Sequence, residues 1–188
     1  CIRDRSAVGY AFALEMFDRL NSDGATVPVG LLSVTKGGSQ IGAWLSRDVF
    51  ENTTSYVSEK WPPIYREDNW NQADGFWKST QETAMYNHYI YPLSSLNIGG
   101  MLWYQGESDN MYNRSYADAL TNLIGLYREN FSHGDTVESI PFVAIQPAPH
   151  NYQYSPGTGL EYDNLPNLWE AYVKVMDNVA DMGTVPIY

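Results

Sequence analysis

Ile98-Gly99-Gly100-Met101-Leu102-Trp103-Tyr104-Gln105-Gly106-Glu107-Ser108-Asp109 is an apolar run that stops abruptly in a polar turn carrying an amide, a glycine and two carboxylates. A buried strand that ends this way points side chains such as Gln105 into the crevice at its carboxyl end, while Gly106 lets the backbone bend and approach a ligand closely. The alternative is an ordinary strand followed by a helix-starting loop. A second segment shifts the balance: Val29-Gly30-Leu31-Leu32-Ser33-Val34-Thr35-Lys36-Gly37-Gly38-Ser39-Gln40-Ile41-Gly42-Ala43-Trp44 also empties an apolar run into adjacent glycines.

Working outward from these two turns, helix and strand signals alternate. Val8, Phe12, Met16 and Leu20 recur at every fourth position, which predicts a helix from about Ser6 to Leu20 packed on a sheet and ended by Gly24. Val27 to Val34 reads as a strand. A helix is expected from about Phe76 to Ile90, a strand over 98–104, a helix over 115–130 and a strand over Phe142–Ile145. Pro166 suits the first turn of a last helix, Gly183 suits its C-terminal cap, and Thr184 to Tyr188 reads as a strand. Connections of this length permit right-handed crossovers, so a three-layer α/β/α fold with a mainly parallel sheet is expected, with active residues at strand carboxyl ends. The stretch 46–76 is too long for a simple connection and reads as a long loop insertion over the site; Trp61, Trp70 and Trp77 argue that it is ordered.

The wording of several blocks resembles the sialate O-acetylesterase family and its relatives among the SGNH-type carbohydrate esterases. The blocks are Ser6 to Ala13, Val27 to Trp44 with its paired glycines, Met85-Tyr86-Asn87-His88-Tyr89-Ile90-Tyr91-Pro92-Leu93, Met101 to Asp109, and Pro141 to Pro149. The resemblance implies an SGNH-hydrolase, flavodoxin-like fold and hydrolysis of an acetyl ester on a sugar hydroxyl through a serine acyl-enzyme. It also implies that the nucleophilic serine lies in a block before Cys1 and the histidine in a block beyond Tyr188. Residues 1–188 are therefore expected to be a single but incomplete esterase domain, an internal portion of a larger polypeptide. Ser39 and Ser108 do not replace the missing serine, because neither has the flanking glycines of a nucleophile elbow. Nor does a general base stand out. His88 reads as a structural helix residue and His133 as a loop residue, while His150 follows a strand and is placed to contact substrate.

Acyl transfer passes through a tetrahedral oxyanion that needs preorganised donors. Gln105 can supply a side-chain amide N–H, and Gly37 a backbone N–H unobstructed by a Cβ. The resemblance favours both, with Gly37 preferred over Gly38. A structural turn at Gly37 is the alternative. For Glu107 two roles stay open: a carboxylate orienting the catalytic histidine, as the resemblance suggests, or a buried acceptor for turn N–H groups. Asp109 is expected to begin the following helix. Trp44, Trp103 and Tyr104 are candidates to shape the acyl or sugar pocket, although core packing explains them equally well.

Composition bounds the partners. A net charge of −11 disfavours nucleic acid and anionic membranes, and no apolar run reaches the roughly 18 residues a membrane span requires. The 15 Tyr and 6 Trp offer flat surfaces that can stack on sugars, though most should fill the core. A lone Cys1 supports neither an intrachain disulfide nor a zinc site, and no metal or cofactor is expected. The expected partners are an acetylated sugar or glycan and the remainder of the parent polypeptide. Asn-x-Ser/Thr sequons at Asn52, Asn113 and Asn130 favour a secreted or extracytoplasmic setting. Besides an esterase for sialic acid or related sugars, the sequence allows an acetylesterase for xylan or another plant polysaccharide. From another class, it allows a non-catalytic carbohydrate-binding domain.

Overall fold

The structure, a computed structural model, describes residues 6–60, 82–112, 114–132, 140–148 and 165–186. Contacts divide the chain into two compact units, Cys1–Thr35 and Lys36–Tyr188. In the first unit, helix α1 spans Ala7–Leu20 and starts where Ser6 Oγ accepts the Gly9 N–H at 3.3 Å, a side-chain cap for an otherwise unpaired donor. Asn21 closes its other end, donating to Phe17 O at 2.7 Å and to Val27 O at 3.0 Å. The spacing of Val8, Phe12, Met16 and Leu20 forms the expected helix, and within this unit α1 buries none of its residues. Residues 25–36 form neither helix nor strand, so the strand expected over Val27 to Val34 is absent. Strand-like composition makes a strand only when a neighbour completes the ladder, and this segment joins no sheet among the described residues.

In the second unit, three strands, β1 (Met101–Trp103), β2 (Phe142–Ile145) and β3 (Met182–Val185), form a parallel sheet in the order β1-β2-β3. Met101 pairs with Phe142, and Phe142 with Met182. Parallel neighbours need crossovers. Helix α4, Tyr116–Phe131, lies between β1 and β2 in sequence, and α5, Leu165–Asn178, between β2 and β3. The two helices pack on one another. Their apolar faces, among them Leu120, Leu123, Ile124, Leu168, Tyr172 and Val175, are buried with Phe142 and Ala144 of β2. Each such aliphatic side chain contributes about 1.5–3 kcal/mol on leaving water. Arg128 of α4 ties this core to the strand starts, donating to Ile140 O at 3.1 Å and Ala180 O at 2.7 Å.

The stretch expected as a loop from 46 is helical through residue 60. Helices α2, Arg47–Asn52, and α3, Thr54–Lys60, both pack on α4. The signal was present: Ser46 Oγ accepts the Val49 N–H at 3.3 Å, and Asp48 occupies the first turn. Residues 61–76 lie outside the described ones. Of the helix expected from Phe76 to Ile90, residues 76–81 lie outside the described ones and Thr83 at φ 62° stands in a turn; helical structure starts at residue 84, passes through a π-helical turn at Tyr86–Ile90 and runs on into a 3₁₀ turn at Tyr91–Leu93. Gly183 is not a helix cap. It lies in β3 opposite Val143, and Asp181 adopts the left-handed conformation (φ 52°) that reverses the chain after α5.

Candidate active site at the carboxyl end of the first strand

Beyond Trp103 the chain leaves the sheet, and Tyr104, Gln105 and Gly106 form a turn into a short 3₁₀ helix, Glu107–Tyr112. Gly106 makes this turn possible. Its φ of +144° disfavours other residues, and a Cβ there would lie 2.7 Å from Leu168 Cδ2, 3.2 Å from the Tyr172 hydroxyl and 3.3 Å from Pro147 Cγ. The glycine lets α5 close over the turn, with Tyr172 donating a short hydrogen bond to Gln105 O.

The second turn comes from residues 36–44. Gly38, at φ +75°, occupies the position of a type II turn that requires positive φ, and Ser39 N closes the turn on Lys36 O at 3.4 Å. Gly37 and Gly38 are exposed, and nothing lies within 4 Å of a Cβ built on either. Immediately after them the chain dives inward. Ser39 is buried and Ile41–Trp44 forms a wholly buried 3₁₀ turn.

The two turns meet through Gln105, which is 8% exposed. Its Nε2 donates to Ser39 O at 3.0 Å and to Asp109 Oδ2 at 2.6 Å, while Oε1 accepts the Tyr116 hydroxyl at 2.9 Å. This fixes the amide orientation, since a flipped amide would set Oε1 against a carbonyl and a carboxylate. Both amide hydrogens thus have acceptors. Asp109 is fully buried. Its Oδ2 also accepts Ile41 N at 2.8 Å and its Oδ1 accepts Tyr56 OH at 2.7 Å, so one carboxylate joins both turns to α3. Burial, reinforced by Asp109, raises the Tyr56 phenol well above its ordinary value. Burial likewise raises Tyr116, with Tyr172 and Asp109 adding to the effect. These phenols stay neutral and act as hydrogen-bond donors.

The sequence-derived residues fall into distinct places. Gln105 and the Gly37-Gly38 turn are brought together through Ser39. Glu107 is exposed, and the buried acceptor of turn N–H groups is Asp109 instead. Asp109 does stand in the first turn of 107–112, but its carboxylate serves the distant Ile41. Trp44 and Trp103 are buried, edge to face with centroids 6.0 Å apart. Trp44 Nε1 donates to Ser39 Oγ at 2.9 Å and Trp103 Nε1 to Tyr116 OH at 3.1 Å. Tyr104 is 44% exposed. His150 lies outside the described residues. Ser39 Oγ donates to Lys36 O at 2.8 Å. His88 is exposed, with Nδ1 2.8 Å from Ala84 O. Sequence reasoning missed the roles of Asp109, Tyr56, Tyr116 and Tyr172. Only Asp109, four residues after Gln105, carried a local signal; the tyrosines arrive from 11 to 67 residues away.

Among the described residues no cluster of three or more His, Cys, Asp or Glu could hold a metal, and no helix is long and apolar enough to cross a membrane. A family model described as carbohydrate esterase, sialic acid-specific acetylesterase, matches residues 4–157. Sialate O-acetylesterase of Mus musculus is 29% identical over 161 residues, covering 75% of this chain and 29% of the mouse protein. The Homo sapiens sialate O-acetylesterase is 30% identical over 145 residues, covering 75% of this chain and 25% of the human protein. The crystal structure of a carbohydrate acetylesterase from Xanthomonas citri superposes with a TM-score of 0.65 at 27% identity, covering 96% of this chain and 34% of that one. The chain thus spans about a third or less of the length of these relatives. With its parallel sheet and crossover helices it has an SGNH-type α/β fold, and it belongs to the carbohydrate esterase, sialic acid-specific acetylesterase family.

Proposed function

We propose that the whole protein is a carbohydrate O-acetylesterase that removes acetyl groups from sialic acid or a related sugar by a serine acyl-enzyme mechanism. In this reading the chain supplies the sheet core and two oxyanion donors. The observation that carries it is the meeting of the Gln105 amide with the glycine turn, through the 3.0 Å bond to Ser39 O, at the carboxyl end of β1. Strand carboxyl ends are where α/β folds assemble ligand sites. The Gln105 amide would stabilise the oxyanion by giving its neutral bond to substrate, and the Gly37 backbone N–H would provide the second donor. The nucleophilic serine and the histidine are assigned to parts of the whole protein outside residues 1–188, a reading supported by the lack of glycine on both sides of Ser39 and of Ser108.

Release of acetate by the whole protein from O-acetylated sialic acid and acetylated xylan, with and without a fluorophosphonate that traps active serines, tests this reading. Turnover abolished by the fluorophosphonate, and faster on the sialic acid ester, is expected. Turnover confined to xylan would replace the substrate class. Saturable sugar binding with no acetate release would favour a carbohydrate-binding domain.

A further inference from the structure

We propose that Asp109 is the positioning residue for Gln105: it holds one amide hydrogen permanently so that the other is presented to substrate. The inference rests on the reading of Gln105 as an oxyanion donor and adds how that donor is kept aimed. Of the two acceptors on Nε2, Asp109 Oδ2 is closer, at 2.6 Å, and is a carboxylate, whereas Ser39 O is a neutral carbonyl at 3.0 Å. A hydrogen bond weakens as its donor–acceptor distance grows, so the 2.6 Å bond to Asp109 is the stronger of the two. When a substrate oxyanion approaches, the Ser39 bond is therefore the one exchanged, and Ser39 O marks the direction from which the oxyanion is bound. The carboxylate is itself immobilised by Ile41 N at 2.8 Å and Tyr56 OH at 2.7 Å, so it cannot follow the amide. Oε1 is pinned independently by Tyr116 at 2.9 Å, leaving the amide no low-energy rotation. Two carboxylates thus divide the Glu107-Ser108-Asp109 segment, Glu107 exposed and Asp109 wholly buried beneath Gln105.

The test is a double-mutant cycle in the whole protein with Gln105→Ala, Asp109→Ala and the combination, read as kcat and KM on an acetyl ester. Asp109→Ala alone should lower kcat by about 100-fold with KM nearly unchanged, the loss expected for one oxyanion donor. In the Gln105→Ala background it should change kcat by less than about 3-fold, because the residue it positions is gone. Asp109→Asn, which keeps a neutral acceptor in the same place, should recover most of the rate; if Asp109→Ala does not fold, Asp109→Leu, which fills a similar volume without an acceptor, takes its place in both backgrounds. Equal losses in both backgrounds, or an effect on KM alone, would overturn the proposal. Should the whole protein be inert on acetyl esters, the proposed function falls, yet the Gln105 side-chain amide resonances still decide the matter. Two well-separated, slowly exchanging protons that converge in Asp109→Leu support the anchoring, and resonances unmoved by that change contradict it.

Discussion

Gln105 Nε2 donates to the carbonyl of Ser39 at 3.0 Å, joining two turns that lie 66 residues apart in the sequence. One bond so placed makes each turn depend on the other. It links the exposed glycines at 37 and 38 to a residue at the end of β1, and it is neutral, hence the one available for exchange.

Gly106 should tolerate no side chain. Gly106→Ala combines a positive φ of +144° with a Cβ 2.7 Å from Leu168 Cδ2. Strain and overpacking together should cost about 2–4 kcal/mol. Urea unfolding measures this directly, and a loss under about 1 kcal/mol would show that α5 can move aside freely.

Gly37 and Gly38 should respond differently. With open space around Gly37 and a backbone outside the left-handed region, Gly37→Ala should leave stability within about 0.5 kcal/mol. Any fall in kcat/KM of the whole protein on an acetyl ester then reports a crowded oxyanion approach. Gly38→Ala should cost about 1–2 kcal/mol through its left-handed backbone. Full activity in Gly37→Ala beside a well-folded but slow Gly38→Ala would move the donor to Gly38.

Glu107 is exposed, so Glu107→Gln should change stability by no more than about 0.5 kcal/mol. If its carboxylate orients the catalytic histidine, kcat in the whole protein should fall by on the order of 10⁴. That is the outcome we expect, given its place two residues from Gln105. An unchanged kcat would leave the histidine's carboxylate partner to another segment.

Alkaline pH should unfold the protein through its buried phenols. Burial raises Tyr56, Tyr116, Tyr127 and Tyr172 above their ordinary values. An unfolded tyrosine loses its proton near pH 10 while a folded one keeps it, so above about pH 10 the unfolded state binds fewer protons and stability falls. Each phenol should remove about 1.4 kcal/mol per pH unit in that range, with no such loss below it. Absorbance at the phenolate band should show these four titrating only with unfolding. Their reversible titration in the folded state would contradict the burial argument.

Much of the sheet region was legible because its signals are local. Phe142–Ile145 is a strand as expected, and α4 and α5 follow their apolar spacing and Pro166. The failures arise where a distant partner decides. Val27 to Val34 has strand composition but no ladder, and Gly183 has the look of a cap but pairs with Val143 while Asp181 turns the chain. At the site, Gln105 and the glycine turn were legible as an amide and flexible backbone after apolar runs. The hub at Asp109 was not, because its bonds to Ile41 and Tyr56 span 68 and 53 residues. Neither indole of Trp44 and Trp103 could be assigned to core or pocket by type alone. Their bonds to Ser39 and Tyr116 show them inside the structure that supports Gln105.

Gln105→Ala in the whole protein tests the central claim most directly, through kcat measured on an acetyl ester well below the unfolding temperature of the variant. Removing the amide leaves Asp109 and Tyr116 short of a partner, so stability should fall by about 1–3 kcal/mol. The account predicts that kcat of the folded fraction falls by about 100- to 1000-fold, the loss of one oxyanion donor. A folded Gln105→Ala enzyme with near-normal kcat would contradict it and reduce Gln105 to a structural tie between the two turns.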